Sequence, residues 1–130
     1  MKKPEPIHRS SFIVHRSSLA RGIELFNSHE FWHAHEAWEK IWLASSGDER
    51  RFLQGLIQLA AAYHHVQRGT YRGGIRLFDA AFEKLEQFPP GHADVDRALA
   101  IAAAHGHRAR IVKGERVDPS EYPKLRVSSG

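Results

Sequence analysis

The chain has no cysteine among its 130 residues, which excludes disulfides, thiolate metal sites and cysteine nucleophiles. That absence fits a reducing compartment. No apolar run approaches the length needed to span a bilayer. Phe12-Ile13-Val14 is too short for the core of a secretory signal. The expectation is a cytoplasmic protein with no membrane partner. No segment alternates apolar and polar residues as a half-buried strand would. Charge of one sign is also scarce in the body of the chain. The net +4 sits mainly in residues 1–18, where Lys2, Lys3, Arg9 and Arg16 face only Glu5. The remaining 112 residues are nearly neutral, so they carry no strong electrostatic footprint for DNA or RNA.

What is present is helical periodicity. Residues 1–18 hold the repeat His8-Arg9-Ser10-Ser11 and His15-Arg16-Ser17-Ser18, basic and serine-rich in the manner of a transit peptide. With little to bury, this stretch is expected to be a disordered or loosely docked arm. A first helix spans Leu19 to Phe26. Asn27 is placed as the N-cap of a second, with Glu30 closing a capping box and Phe26 and Phe31 forming a hydrophobic staple. That helix runs to about Leu43. Ser46 and Glu49 offer another capping box before a third helix, Asp48 to Arg68, whose stretch from Phe52 to Val66 is apolar nearly all round and marks a central buried element. Gly69-Thr70 turns the chain into a fourth helix, Tyr71 to Phe88, which Pro89-Pro90-Gly91 stops. An alanine-rich fifth begins near Asp94 and is open to interruption at Gly106. The tail after Gly114 is expected to be extended. The predicted fold class is all-α, a compact antiparallel bundle of about five helices over residues 19–114, with the arm at 1–18 and a tail at 115–130.

Candidate chemistry concentrates in the second and third helices. Residues 27–42 hold all three tryptophans, three of the ten histidines and three glutamates. On a helical wheel, Phe31, Trp32, Trp38, Glu39 and Trp42 fall within about 60° of His35, while His33 and Lys40 point away and Glu36 sits at the edge. The third helix carries a second narrow polar line of Gln54, Gln58 and His65. If the two stripes face each other, they form one cluster of His35, Glu39, Gln58 and His65, with Glu36 and Gln54 near its mouth. Ionisable groups on an apolar face must be paired, hydrogen-bonded or metal-bound. Imidazole and carboxylate one turn apart make a two-point clamp, and His65 supplies a third ligand for zinc or a similar divalent metal. An open position would activate water for hydrolysis, with Glu36 as general base and Gln58 orienting substrate or water. The zincin pattern itself is excluded, because Glu39 stands where the second histidine should be.

The competing reading is a buried hydrogen-bond network that fixes helix register without metal or turnover. For His64, His92, His105 and His107 the expectation is a surface or core-edge position. The tryptophans are expected to anchor the core. The row Arg68, Arg72, Arg76 is expected to be a solvated face.

The run His35-Glu36-x-x-Glu39-x-x-Trp42, then Phe52-Leu53-Gln54-Gly55-Leu56-Ile57-Gln58-Leu59-Ala60-Ala61-Ala62 and His65-x-x-x-Gly69, resembles the small all-helical family catalogued as domain of unknown function 309. The match covers about Leu19 to Phe88. The resemblance implies a helical bundle and the label of a predicted metal-dependent hydrolase. The family's polar signature falls on His35, Glu36, Glu39, Gln54, Gln58 and His65, and His64 stands where the family often has an aromatic residue. Two functions are therefore carried forward: a metal-assisted hydrolase built on His35, Glu39 and His65, and a non-catalytic helical module for a small-molecule ligand or a partner. Nucleic-acid binding through the arm and the row Arg68, Arg72, Arg76 ranks third. Homo-oligomer formation is left open.

Overall fold

The computed structural model describes residues 16–127. Five helices follow one another: α1 (Arg16–Asn27), α2 (Phe31–Leu43), α3 (Gly47–Arg68), α4 (Tyr71–Leu85) and α5 (Ala98–Val112). The expected all-α bundle is present. Helix α3 is central, with α2 on one flank and α4 on the other; α1 packs on α2 and α5 on α4. The proposed arm lies, up to residue 15, outside the described residues, and Arg16-Ser17-Ser18 already belong to α1.

Aromatic contacts hold the centre. Phe26 meets Phe31 edge-on at 4.9 Å, Phe31 stacks on Tyr63 at 5.4 Å, and Tyr63 meets Phe78 at 5.0 Å. Such edge-on and offset pairs add to the apolar area they bury. Two glycines set how closely the helices approach. A Cβ on Gly22 would collide with the Trp38 indole, and one on Gly55 would lie 2.8 Å from Leu85, so α1–α2 and α3–α4 pack closer than alanine would allow.

Helix ends depart from the expected capping boxes. Asn27 is the last residue of α1, not a cap for α2. His29 takes a left-handed φ of 66°, its N–H bonding Phe26 O, while Glu30 N–H bonds Leu25 O. This double bond closes α1 as a Schellman motif, so the staple Phe26–Phe31 forms without the box. The Asn27 side chain instead clasps the tail: its amide donates to Leu125 O and its carbonyl accepts from Leu125 N–H, both at 2.8 Å. Ser46 does occupy the N-cap position of α3, but its side chain makes no cap bond, and Glu49 is buried at 6% exposure.

Helix α4 ends at Leu85, three residues before the expected stop, and α5 starts at Ala98 rather than near Asp94. Between them lie a 3₁₀ turn, His92–Asp94, and the short strand β1 (Val95–Asp96), which pairs antiparallel with β2 (Arg126–Val127). Gly106 does not interrupt α5. The tail after Gly114 is mainly extended, with a 3₁₀ turn at Pro119–Glu121, and it is docked, since Val117, Tyr122 and Leu125 are buried.

Arg97 joins these pieces. It is 2% exposed and donates to the carbonyls of Val95, Phe88 and Pro89 at 3.1, 3.3 and 2.7 Å and to Leu85 O at 3.4 Å. Its guanidinium also lies 4.8 Å above the Phe52 ring. A cation at the C-terminal end of α4 meets carbonyls that the helix leaves unpaired.

Candidate functional site

The buried face of α2 is Phe31, Ala34, Trp38 and Ile41. His35 lies beside that face with its side chain 16% exposed, and Glu39 is farther out at 49%. The pair survives as predicted in one respect: His35 Nε2 and Glu39 Oε2 are 3.7 Å apart. Of the three tryptophans only Trp38 is a core anchor. Trp42 is half-buried beneath the Arg50 guanidinium, which lies 3.8 Å over its ring. Trp32 is 47% exposed and lies nearly parallel over His35, with ring centroids 4.6 Å apart.

On α3 the line Gln54, Gln58, Ala61 and His65 is half-buried. Helix α2 abuts one side of it, since Trp32 contacts His64 at 5.1 Å. Helix α4 abuts the other, where Gly73 faces the His65 ring and Gly55 faces Lys84 and Leu85. The line therefore lies on the side of α3 between the faces that meet α2 and α4. On α2, Trp32, His35 and Trp42 lie beside its buried face. Half-buried Gly73, Leu77, Ala80 and Lys84 recur on the side of α4 that meets α3.

His65 is turned away from α2. Its Nδ1 lies 2.6 Å from Thr70 Oγ1, and a Cβ on Gly73 would sit 3.1 Å from its ring. The histidine that meets α2 is His64, its pKa lowered by burial and then by the nearness of Arg68, His65 and His35. Glu36 bonds His33 Nδ1 at 3.2 Å on the solvent side. Among the described residues, no group of three or more His, Asp and Glu side chains is placed to hold a metal ion. The structure brings His35 and Glu39 together and leaves His65 and Glu36 with other partners, so the residues present do not fit a three-ligand metal centre.

Nor is the cluster a closed hydrogen-bond network. His35 Nδ1, Trp42 Nε1 and Gln58 Oε1 are buried without a hydrogen-bond partner among the described residues. Each such group carries a desolvation cost of about 1–3 kcal/mol. The satisfied buried pair is elsewhere, between Tyr63 and His107.

The family model for the domain of unknown function DUF309 matches residues 19–77. The crystal structure of a conserved hypothetical protein from Thermus thermophilus is similar at 32% identity and a TM-score of 0.61, over 69% of this chain and 94% of that one. The chain belongs to the DUF309 family. Among curated proteins none matches significantly. The DUF309 match spans α1, α2, α3 and the first part of α4, and so contains Trp32, His35, Glu39, Gln54, Gln58 and His65 but ends before Ala80 and Lys84. Two contributors to this DUF309 site escape the sequence pattern. The wheel sets Trp32 beside His35, but nothing local in the sequence signals that it is exposed rather than a core anchor. His64 is separated from His65 by one wheel position, and only the placement of α4 decides which of them faces α2.

Proposed function

We propose that this DUF309 protein is a non-catalytic binding module whose ligand is a small planar molecule carrying hydrogen-bonding groups, seated beside the polar line of α3. One observation carries this reading: Trp32, half exposed and stacked on His35, covers a seam in which a buried imidazole nitrogen has no partner. An aromatic platform beside unpaired polar groups is what recognition of a planar heterocycle requires, with stacking supplying area and polar atoms supplying orientation. Binding in this reading requires the Trp32 ring to swing off His35 and the buried Gln58 carbonyl to open to the ligand.

The test is a thermal-shift screen with adenine, nicotinamide, indole and zinc ion, each against the wild type, Trp32→Ala and Gln58→Leu. A planar probe should raise Tm in the wild type, with the rise lost in Trp32→Ala and reduced in Gln58→Leu. If no planar probe binds at millimolar concentration while zinc binds stoichiometrically and is lost in His35→Ala and Glu39→Ala, the binding-module reading fails and a metal site replaces it.

A further inference from the structure

The first half of helix α5 is apolar on both its buried and its outward side. Ala100, Ala104, His107 and Ile111 are buried against the bundle. On the outward side Leu99, Ala102, Gly106, Ala109, Val112 and Lys113 are exposed, Arg110 lies at its edge paired with Glu115 and Glu121, and His105 is turned onto Phe82 of α4. Leu99 is 72% exposed and Val112 57% exposed. A surface helix of a soluble domain normally turns charged residues outward, and a helix apolar all round is normally covered. Here Lys113 is the charged side chain on the outward face, Arg110 borders it, and nothing among the described residues covers Leu99, Ala102 or Ala109.

The order of residues along this face identifies what covers it. Leu99, Ala102, Gly106 and Ala109 recur at three- and four-residue spacing, the seam along which two helices pack. When the same seam is laid antiparallel on itself, Leu99 falls opposite Ala109 and Ala102 opposite Gly106. The large side chain then meets a small one, and the centre admits close backbone approach. The ends match as well. Asp96 stands just before α5, where one carboxylate oxygen accepts from Ala98 N–H at 3.2 Å. Lys113 stands just past the last turn. In the antiparallel arrangement Asp96 of each copy lies beside Lys113 of the other, and the helix dipoles oppose favourably. Arg126 faces Asp96 across the two-stranded pair, so this acidic end is shared between that neighbour and Lys113 of the second copy.

We infer that α5 is the interface of a two-fold homodimer, each copy covering the Leu99–Ala102–Gly106–Ala109 seam of the other. A two-fold interface must be self-complementary, and this seam is so in both size and charge.

Multi-angle light scattering and sedimentation of the full chain test it. At about 100 µM the wild type should have twice the chain mass of 14.8 kDa. Ala102→Glu puts a charge at the centre of an exposed seam and should give a monomer with an unchanged circular dichroism spectrum. Lys113→Glu should raise the dissociation constant about tenfold, and Lys113→Glu with Asp96→Lys should recover most of the loss. A monomeric wild type at that concentration overturns the inference, whether the face is bare or covered by residues 1–15. A dimer that Ala102→Glu leaves intact overturns it too, because the contact must then lie elsewhere.

Discussion

The Tyr63 hydroxyl and Nδ1 of His107 share a hydrogen bond of 2.7 Å, tying α3 to α5 inside the core. Burial pushes the His107 pKa below the ordinary imidazole value and the Tyr63 pKa above its own, so both groups stay neutral and the bond needs no counterion. Tyr63→Phe leaves a buried imidazole nitrogen unpaired and should cost about 1–3 kcal/mol in urea denaturation. The same burial makes stability depend on acid. His64, His92 and His107 all have lowered pKa values, with burial the first cause in each. The unfolded chain binds protons at the ordinary value of 6.5 that the folded chain refuses. Their contribution is complete above pH 6.5 and is lost as pH falls below it. Denaturation midpoints between about pH 7.5 and 5 should fall, and His107→Gln should flatten that fall.

Glu49 acts with the opposite sign. It is 6% exposed, one of its carboxylate oxygens has no hydrogen-bond partner, and burial raises its pKa from 4.5 to about 7. The folded state therefore takes up a proton that the unfolded chain releases. Its contribution is complete below pH 4.5 and disappears as pH rises through 7. Glu49→Gln keeps the shape and removes the charge, so it should stabilise the protein at about pH 8 by about 1–2 kcal/mol. Near pH 4 it should have little effect. Because the Glu49 and histidine windows overlap between about pH 5 and 7, the variant should also show a steeper loss of stability on acidification than the wild type.

These contrasts show which parts of the protein the sequence could disclose. Helix number, order and approximate extent follow from local periodicity, and α3 is central because Leu53, Leu56, Leu59 and Tyr63 leave almost no polar arc. Asn27 looked like a cap because its best partner, the Leu125 backbone, is 98 residues away. His64 and His65 are neighbours about 100° apart on the wheel, and a wheel carries no record of which flank each neighbouring helix takes. That choice depends on where Gly55 and Gly73 let α4 approach. Trp32 was placed with Trp38 because both fall on the wide aromatic face. The buried arc proves narrower and leaves Trp32 at its outer edge.

Arg97 left no pattern at all in the sequence, since its partners are carbonyls rather than a charged side chain. Removing it should nonetheless be among the costliest single changes. Arg97→Ala would leave the carbonyls of Leu85, Phe88, Pro89 and Val95 without their shared donor and open space over Phe52. A loss of about 3 kcal/mol or more is expected, since a buried charge network broken at one member costs about 3–5 kcal/mol. Arg97→Lys should recover only part of it, because one ammonium cannot reproduce the fork that reaches both the end of α4 and β1. Thermal melts of the two variants beside the wild type decide this. Equal losses would show that the fork geometry is irrelevant.

His35 separates a binding site from a structural network by the direction of its stability change. In a network, each member satisfies others, so removing one leaves buried groups unpaired and lowers Tm. Here Nδ1 of His35 is already unpaired, and Nε2 faces a half-exposed Glu39 at 3.7 Å, a contact worth at most about 1 kcal/mol. His35→Leu replaces a poorly satisfied ring with an apolar side chain of similar volume beneath Trp32. Its Tm should stay level or rise, in keeping with the common trade of stability for function at binding sites. The same variant should lose the Tm response to any planar probe that the wild type binds. A fall of several degrees, with probe response intact, would instead assign His35 to the scaffold and move the ligand away from Trp32.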